Sequence, residues 1–174
     1  MRYRIIMPLF AVLLAAIELL AARPAAQEIP ARLQPPAGQH LFLTLRAKGD
    51  QVYTCKQGVT RIAWYLTAPD AQLFYTDGKP FGKHFAGPTW QASDGSRVTG
   101  KAVADAPSPD GNSIPWLLVQ VVNHEGTGVL SHATSIQRIN TKGGKAPDSG
   151  CNTTDTGKEL RVHYTADYLF YEPK

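Results

Sequence analysis

The sequence predicts an all-β protein, an antiparallel two-sheet β-sandwich of about ten short strands, and three observations carry that expectation. Side chains alternate with period two along short runs through most of the chain. Glycine, proline and aspartate punctuate those runs, with 15 glycines and 13 prolines in 174 residues. Past the N-terminal segment, no window sustains helical periodicity. A closed β-barrel is the alternative arrangement of the same runs. The length is that of one ordinary domain.

The N-terminal segment reads differently. Arg2 and Arg4 precede an apolar run from Ile5 to Leu20, broken only by Pro8 and Glu18, and the small-residue stretch Ala21-Ala22-Arg23-Pro24-Ala25-Ala26 follows. A basic start, an apolar middle and a small-residue end make a secretion signal. Residues 1–26 are therefore expected to be a signal helix cleaved after Ala26, or alternatively after Ala22. The run is shorter than the ~20 apolar residues of a spanning helix and carries Glu18, so an uncleaved anchor is disfavoured. No cysteine follows it to take a lipid. The expected location is exported, periplasmic or extracellular, with no membrane span after cleavage.

Without Arg2, Arg4, Arg23 and Glu18, the 18 basic and 14 acidic side chains fall to 15 and 13, a net charge of +2 in place of +4. No basic stripe interleaved with aromatics remains, so a nucleic-acid partner is not expected. Two cysteines stay in the exported part, Cys55 and Cys151, and thiols in an oxidising compartment usually end paired. A disulfide between them is expected; two separate buried thiols are the alternative.

In chain order, residues 27–38 contain Pro30, Pro35 and Pro36 and read as a proline-rich arm laid over a single β-domain of residues 39–174. His40 to Arg46 alternates Leu41, Leu43 and Leu45 against Phe42, Thr44 and Arg46. Gln51 to Gln57 sets Tyr53 and Cys55 on one face, and Arg61 to Thr67 sets Ile62, Trp64 and Leu66 together. Gln72–Thr76 and Lys79–Phe85 flank Asp77-Gly78, and Thr89–Ala92 and Arg97–Ala104 flank Asp94-Gly95, so two tight hairpins are expected. Trp116 to His124 is apolar on both faces, the mark of a strand covered on both sides. Val129–Asn140, Lys158–Tyr164 and Tyr168–Tyr171 complete the runs.

Chemistry is harder to find. His40, His84, His124, His132 and His163 are not at ligand spacing, and His124-Glu125 lacks the second histidine of a zincin helix because position 128 is glycine. Asp110-Gly111-Asn112 lacks the spaced carboxylates of a calcium loop. No metal and no cofactor are expected. No serine stands in a Gly-x-Ser-x-Gly elbow, although a triad assembled from distant loops needs no motif. Lys142-Gly143-Gly144-Lys145 is too short for a phosphate loop and reads as a turn.

Two features stand out as ligand-binding candidates. Arg138 shares a strand face with Ile136, while Gln137 shares the other with Ile139. A guanidinium aligned with a core residue needs a carboxylate or several carbonyls as partners. Asp105, Glu125 or Asp167 would make it a structural pair at a sheet edge; otherwise it is an anion site. The second feature is the segment from His84 to Trp90, where a flat indole with a polar edge follows Gly87-Pro88-Thr89. On that reading Trp90→Ala abolishes ligand binding and leaves thermal unfolding nearly unchanged.

These segments resemble the bacterial and fungal family catalogued as domain of unknown function 3455. The likeness runs from about Ile29 to Tyr171 and rests on Pro35-Pro36-Ala37-Gly38-Gln39, Tyr53-Thr54-Cys55, Ala86-Gly87-Pro88-Thr89-Trp90 with Asp94-Gly95-Ser96, and Ile114-Pro115-Trp116-Leu117-Leu118. It continues through Ile136-Gln137-Arg138-Ile139-Asn140-Thr141, Gly143-Gly144-Lys145-Ala146-Pro147, Gly150-Cys151 and Tyr164-Thr165-Ala166-Asp167-Tyr168. The resemblance implies an exported protein and lends no activity, cofactor or catalytic residue. The malate dehydrogenase label of some fungal members does not suit this chain, which lacks the Gly-x-Gly-x-x-Gly turn of dinucleotide binding.

The expected function is thus a non-catalytic, disulfide-bonded binding module of the envelope or extracellular space, taking a small molecule or a glycan through His84, Trp90 and Arg138. A hydrolase with a loop-assembled site and a structural envelope or adhesion component are the alternatives.

Overall fold

A computed structural model describes residues 28–174; the expected signal helix lies outside them. The alternating runs form eight strands: β1 (Gln39–Gln57), β2 (Ile62–Tyr75), β3 (Pro80–Phe85), β4 (Thr89–Ala92), β5 (Arg97–Ala106), β6 (Trp116–Glu125), β7 (Ser135–Gly143) and β8 (Glu159–Pro173). Each pairs antiparallel with the next, and β1 also pairs with β8, so the sheet closes into a barrel. The expected two-sheet sandwich is corrected to one continuous sheet, and about ten strands to eight.

Length is the reason for closure. At 19 residues, β1 holds β2 along Leu45–Gln57 and β8 along Gln39–Thr54, so neither terminal strand keeps an open edge. Three pairs of expected runs fuse to give these long strands. The first fusion passes through Lys48-Gly49-Asp50, which has the composition of a turn. In the sheet Gly49 lies opposite Ala71 and Tyr164, and a Cβ there would stand 2.4 Å from the Ala71 Cα. Glycine serves close strand approach at this position, not chain reversal.

One expected run is shortened instead. Val129–Asn140 becomes strand only from Ser135, because the Val129 and Leu130 N–H groups donate to Asp94 Oδ2 and Ser96 Oγ at 2.8 and 3.2 Å and not to a ladder. The Asp77-Gly78 and Asp94-Gly95 hairpins form as expected, with glycine φ of 88° and 91°. Each aspartate caps its own turn by accepting from the N–H of Lys79 or Ser96.

The two faces of the sheet bury different things. Leu45, Leu73, Phe81, Trp90, Val98, Val119, Ile136, Tyr164, Tyr168 and Phe170 form the larger core. A second cluster joins Trp116, Leu118 and Ile139 to Leu33, which sits on a 3-10 turn of the arm, Ala31–Leu33. Gln137 Nε2 donates to the Leu33 carbonyl at 2.6 Å and Tyr171 Oη donates to Gln137 Oε1 at 2.5 Å, fastening the arm. Here lies the reason for the double apolar pattern of β6: Leu117, Val119 and Val121 face the larger core, while Trp116 and Leu118 lie beneath the arm. Beyond them Val122 is 59% exposed, so the strand is covered on both sides only in its first half.

Cys55 is bonded to Cys151, tying the end of β1 to the loop between β7 and β8. No helix among the described residues is long and apolar enough to cross a membrane.

Candidate functional site

A cavity of about 670 Å³ opens among the inward side chains, and every one of the eight strands contributes to its lining. Gln51, His84, Trp90, Gly100, Val119, Arg138 and Tyr168 form its buried part; Leu66, Thr67, Gly87, Pro88, Lys101 and Ala102 are exposed at its mouth. The structure therefore brings His84, Trp90 and Arg138 to one cavity.

The β3–β4 hairpin sets the first two side by side. His84 and Trp90 are cross-strand partners, and their rings stack with centroids 4.3 Å apart and planes 15° from parallel. Tyr168 on β8 meets both rings edge-on, at 5.1 and 5.5 Å. Gly100 on β5 makes this packing fit, since a Cβ there would lie 2.3 Å from Val119 Cγ1 and 3.3 Å from Trp90 Cζ3.

His84 Nδ1 stands 2.9 Å from the Thr89 carbonyl oxygen. An oxygen without a proton must accept, so Nδ1 carries the hydrogen and Nε2 keeps its lone pair. Burial holds this imidazole down to about 3; the Thr89 bond opposes that shift and the Arg138 charge adds to it. The ring is neutral at ordinary pH. Burial also pushes the Tyr168 and Tyr164 phenols up, against a smaller opposing pull from Arg138.

Arg138 pairs across the ladder with Leu117 on β6 and Tyr168 on β8. It is 9% exposed, and its Nε and Nη2 both donate to the Pro115 carbonyl, at 3.1 and 2.9 Å. The three carboxylates expected as partners are engaged elsewhere or set apart. Glu125 pairs with Arg97, Asp167 accepts from Asn140, and Asp105 lies exposed in the ladder opposite Leu117. The structural ion pair at a sheet edge is thus corrected to a guanidinium facing the barrel interior without a carboxylate.

Trp90 needs a correction too. At 1% exposure, and in contact with Tyr168 and Phe170, it belongs to the core as well as to the cavity, so Trp90→Ala cannot leave unfolding unchanged. Sequence reasoning missed Gln51, Tyr168 and the Leu66–Pro69 edge. A signal for Tyr168 was there: Tyr164, Ala166, Tyr168 and Phe170 alternate on one face of β8 and are all buried, placing phenol oxygens inside an apolar row. Gln51 had no such mark. Away from the cavity, the Asp110 carboxylate accepts from the Ser108 and Ser113 hydroxyls and from Lys142 Nζ, so this turn satisfies its own charge.

The sequence matches the family described as Protein of unknown function (DUF3455) over residues 36–172, and the chain belongs to that family. No curated protein and no solved structure matches it.

Proposed function

We propose that this DUF3455 member is an exported, non-catalytic binding protein that holds a small, largely apolar molecule in the barrel interior. The observation that carries the reading is the cavity of about 670 Å³ lined from all eight strands, within the range of sites for drug-sized ligands. Its walls are mainly apolar and aromatic, with a few polar groups held in place by backbone carbonyls, the usual composition of a preformed small-molecule site. A buried aromatic floor favours such a molecule over a glycan. Export is supported by the signal-like N-terminus and by the disulfide, which persists in oxidising compartments.

Catalysis draws less support. No serine, cysteine or carboxylate lines the cavity, so His84 has none of the usual nucleophiles or orienting carboxylates beside it there.

The test is fluorescence titration of the purified exported protein with the neutral dye phenylnaphthylamine. Saturable binding of one dye per chain is expected. Ala102→Trp, which narrows the mouth at an exposed position, should weaken that binding at least tenfold with unfolding unchanged. Absence of saturable binding, or indifference to Ala102→Trp, would overturn the reading.

A further inference from the structure

Charge in the cavity is one-sided. Its lining holds Arg138 and Lys101 and no aspartate or glutamate. Lys101 is exposed, so Arg138 is the one cation in the buried part. A guanidinium cannot shed its proton inside a protein, and a buried charge without a counter-charge is costly. Arg138 takes part in none of the ion pairs among the described residues. Its two bonds to the Pro115 carbonyl orient the group without neutralising it.

The neighbouring groups do not neutralise it either. His84 is uncharged, and the Tyr164 and Tyr168 phenols are pushed up by burial, away from the phenolate. Two further donors on lining residues lack acceptors: Gln51 Nε2 and Trp90 Nε1, each on a side chain 1% exposed. A buried donor left unpaired carries its full desolvation cost. The interior is thus cationic and rich in donors, and it is walled by apolar side chains.

We propose that the ligand is an organic acid, its carboxylate on Arg138 and its apolar body against Trp90, Leu117 and Val119. The inference rests on the binding reading above and gives it a ligand class. Planar, forked donation from a guanidinium to a carboxylate is the strong form of this contact, and exclusion of water inside the barrel strengthens it.

The experiment displaces phenylnaphthylamine from the exported protein with naphthoate and, separately, with naphthamide, which has the same ring body and no charge. Naphthoate should compete at least tenfold better. Arg138→Gln should erase that preference while neutral phenylnaphthylamine still binds, Arg138→Lys should keep only part of it because an ammonium keeps the charge without the fork, and Lys101→Gln should leave it intact.

Equal competition by the two probes would overturn the acid while leaving the binding reading standing. Failure of the dye and both probes to bind would overturn both. A preference that survives Arg138→Gln, or collapses in Lys101→Gln, would put the anion elsewhere and sink the assignment. Should Arg138→Gln fail to fold, the wild-type preference is read at high salt. A buried pair is screened little, so persistence supports Arg138, and disappearance moves the anion to the exposed rim and overturns it.

Discussion

Trp90 and Trp116 are equally hidden from water, at 1% and 2% exposure, and each has an indole nitrogen without a hydrogen-bond partner, yet they occupy opposite faces of one sheet. Trp116 packs beneath the N-terminal arm with Leu33, Leu118 and Ile139, a layer fastened by the Gln137 bond to the Leu33 carbonyl. Trp90 lies against the interior cavity, with a neutral imidazole stacked on one face and an uncompensated guanidinium nearby. Burial alone therefore does not separate a structural tryptophan from one at a site. Space and unbalanced charge do, because a packed layer fills its volume, whereas Trp90 borders an open cavity that also holds Arg138.

The largest expected effect tests whether stability and interior shape are separable at all. The disulfide contributes no side chain to the cavity, and it closes a sequence separation of 96 residues. Replacing both cysteines by alanine should lower unfolding free energy by about 4–5 kcal/mol in the chain-entropy picture, and the melting temperature by on the order of ten degrees. Affinity for phenylnaphthylamine should be unchanged. An unaltered melt, with two titratable thiols in the native protein, would refute the pairing.

The next effect addresses the two tryptophans directly. Trp116→Ala and Trp90→Ala should each cost about 3–5 kcal/mol, measured by urea unfolding, but only Trp90→Ala should also change dye affinity. If both variants bind the dye like the wild type, the inner face is core alone and the contrast fails.

The last effect is a dependence on pH, absent near neutrality and accumulating as the solution is acidified. Folding takes His84 from its ordinary 6.5 down to about 3, so between those values the unfolded chain holds a proton that the native protein lacks. Stability should be full above about pH 6.5 and decline as pH falls toward 3, by at most ~1.4 kcal/mol per pH unit. His84→Gln should flatten this part of the profile. A slope identical in wild type and variant would assign the acid sensitivity to other groups.

Much of the fold was legible because strand periodicity is local. The alternation in β5 and β6, the two Asp-Gly hairpins and the doubly apolar start of β6 all follow from neighbours a few residues apart. What misled was glycine and proline inside strands. Lys48-Gly49-Asp50 and Ala68-Pro69-Asp70 have turn composition, yet both lie within long ladders, because a glycine needed for close approach is written with the same letter as one needed for reversal. The site was half legible. The alternation of Ile136, Gln137, Arg138 and Ile139 separates two faces correctly, and the carboxylate partner it suggested does not exist among the described residues.

Taken alone, the amino-acid order determined that this chain is built of antiparallel strands, where its tight hairpins fall and which two sulfurs pair, since these depend on local pattern and on there being just two cysteines in the chain. Only the tertiary structure decided that the sheet closes on itself, because β1 meets β8 across more than a hundred residues of chain and no local rule sets that register. Closure in turn put Gln51, His84, Trp90, Arg138 and Tyr168, from five different strands, around one cavity. Sheet curvature brings these residues together, and curvature has no period in the sequence.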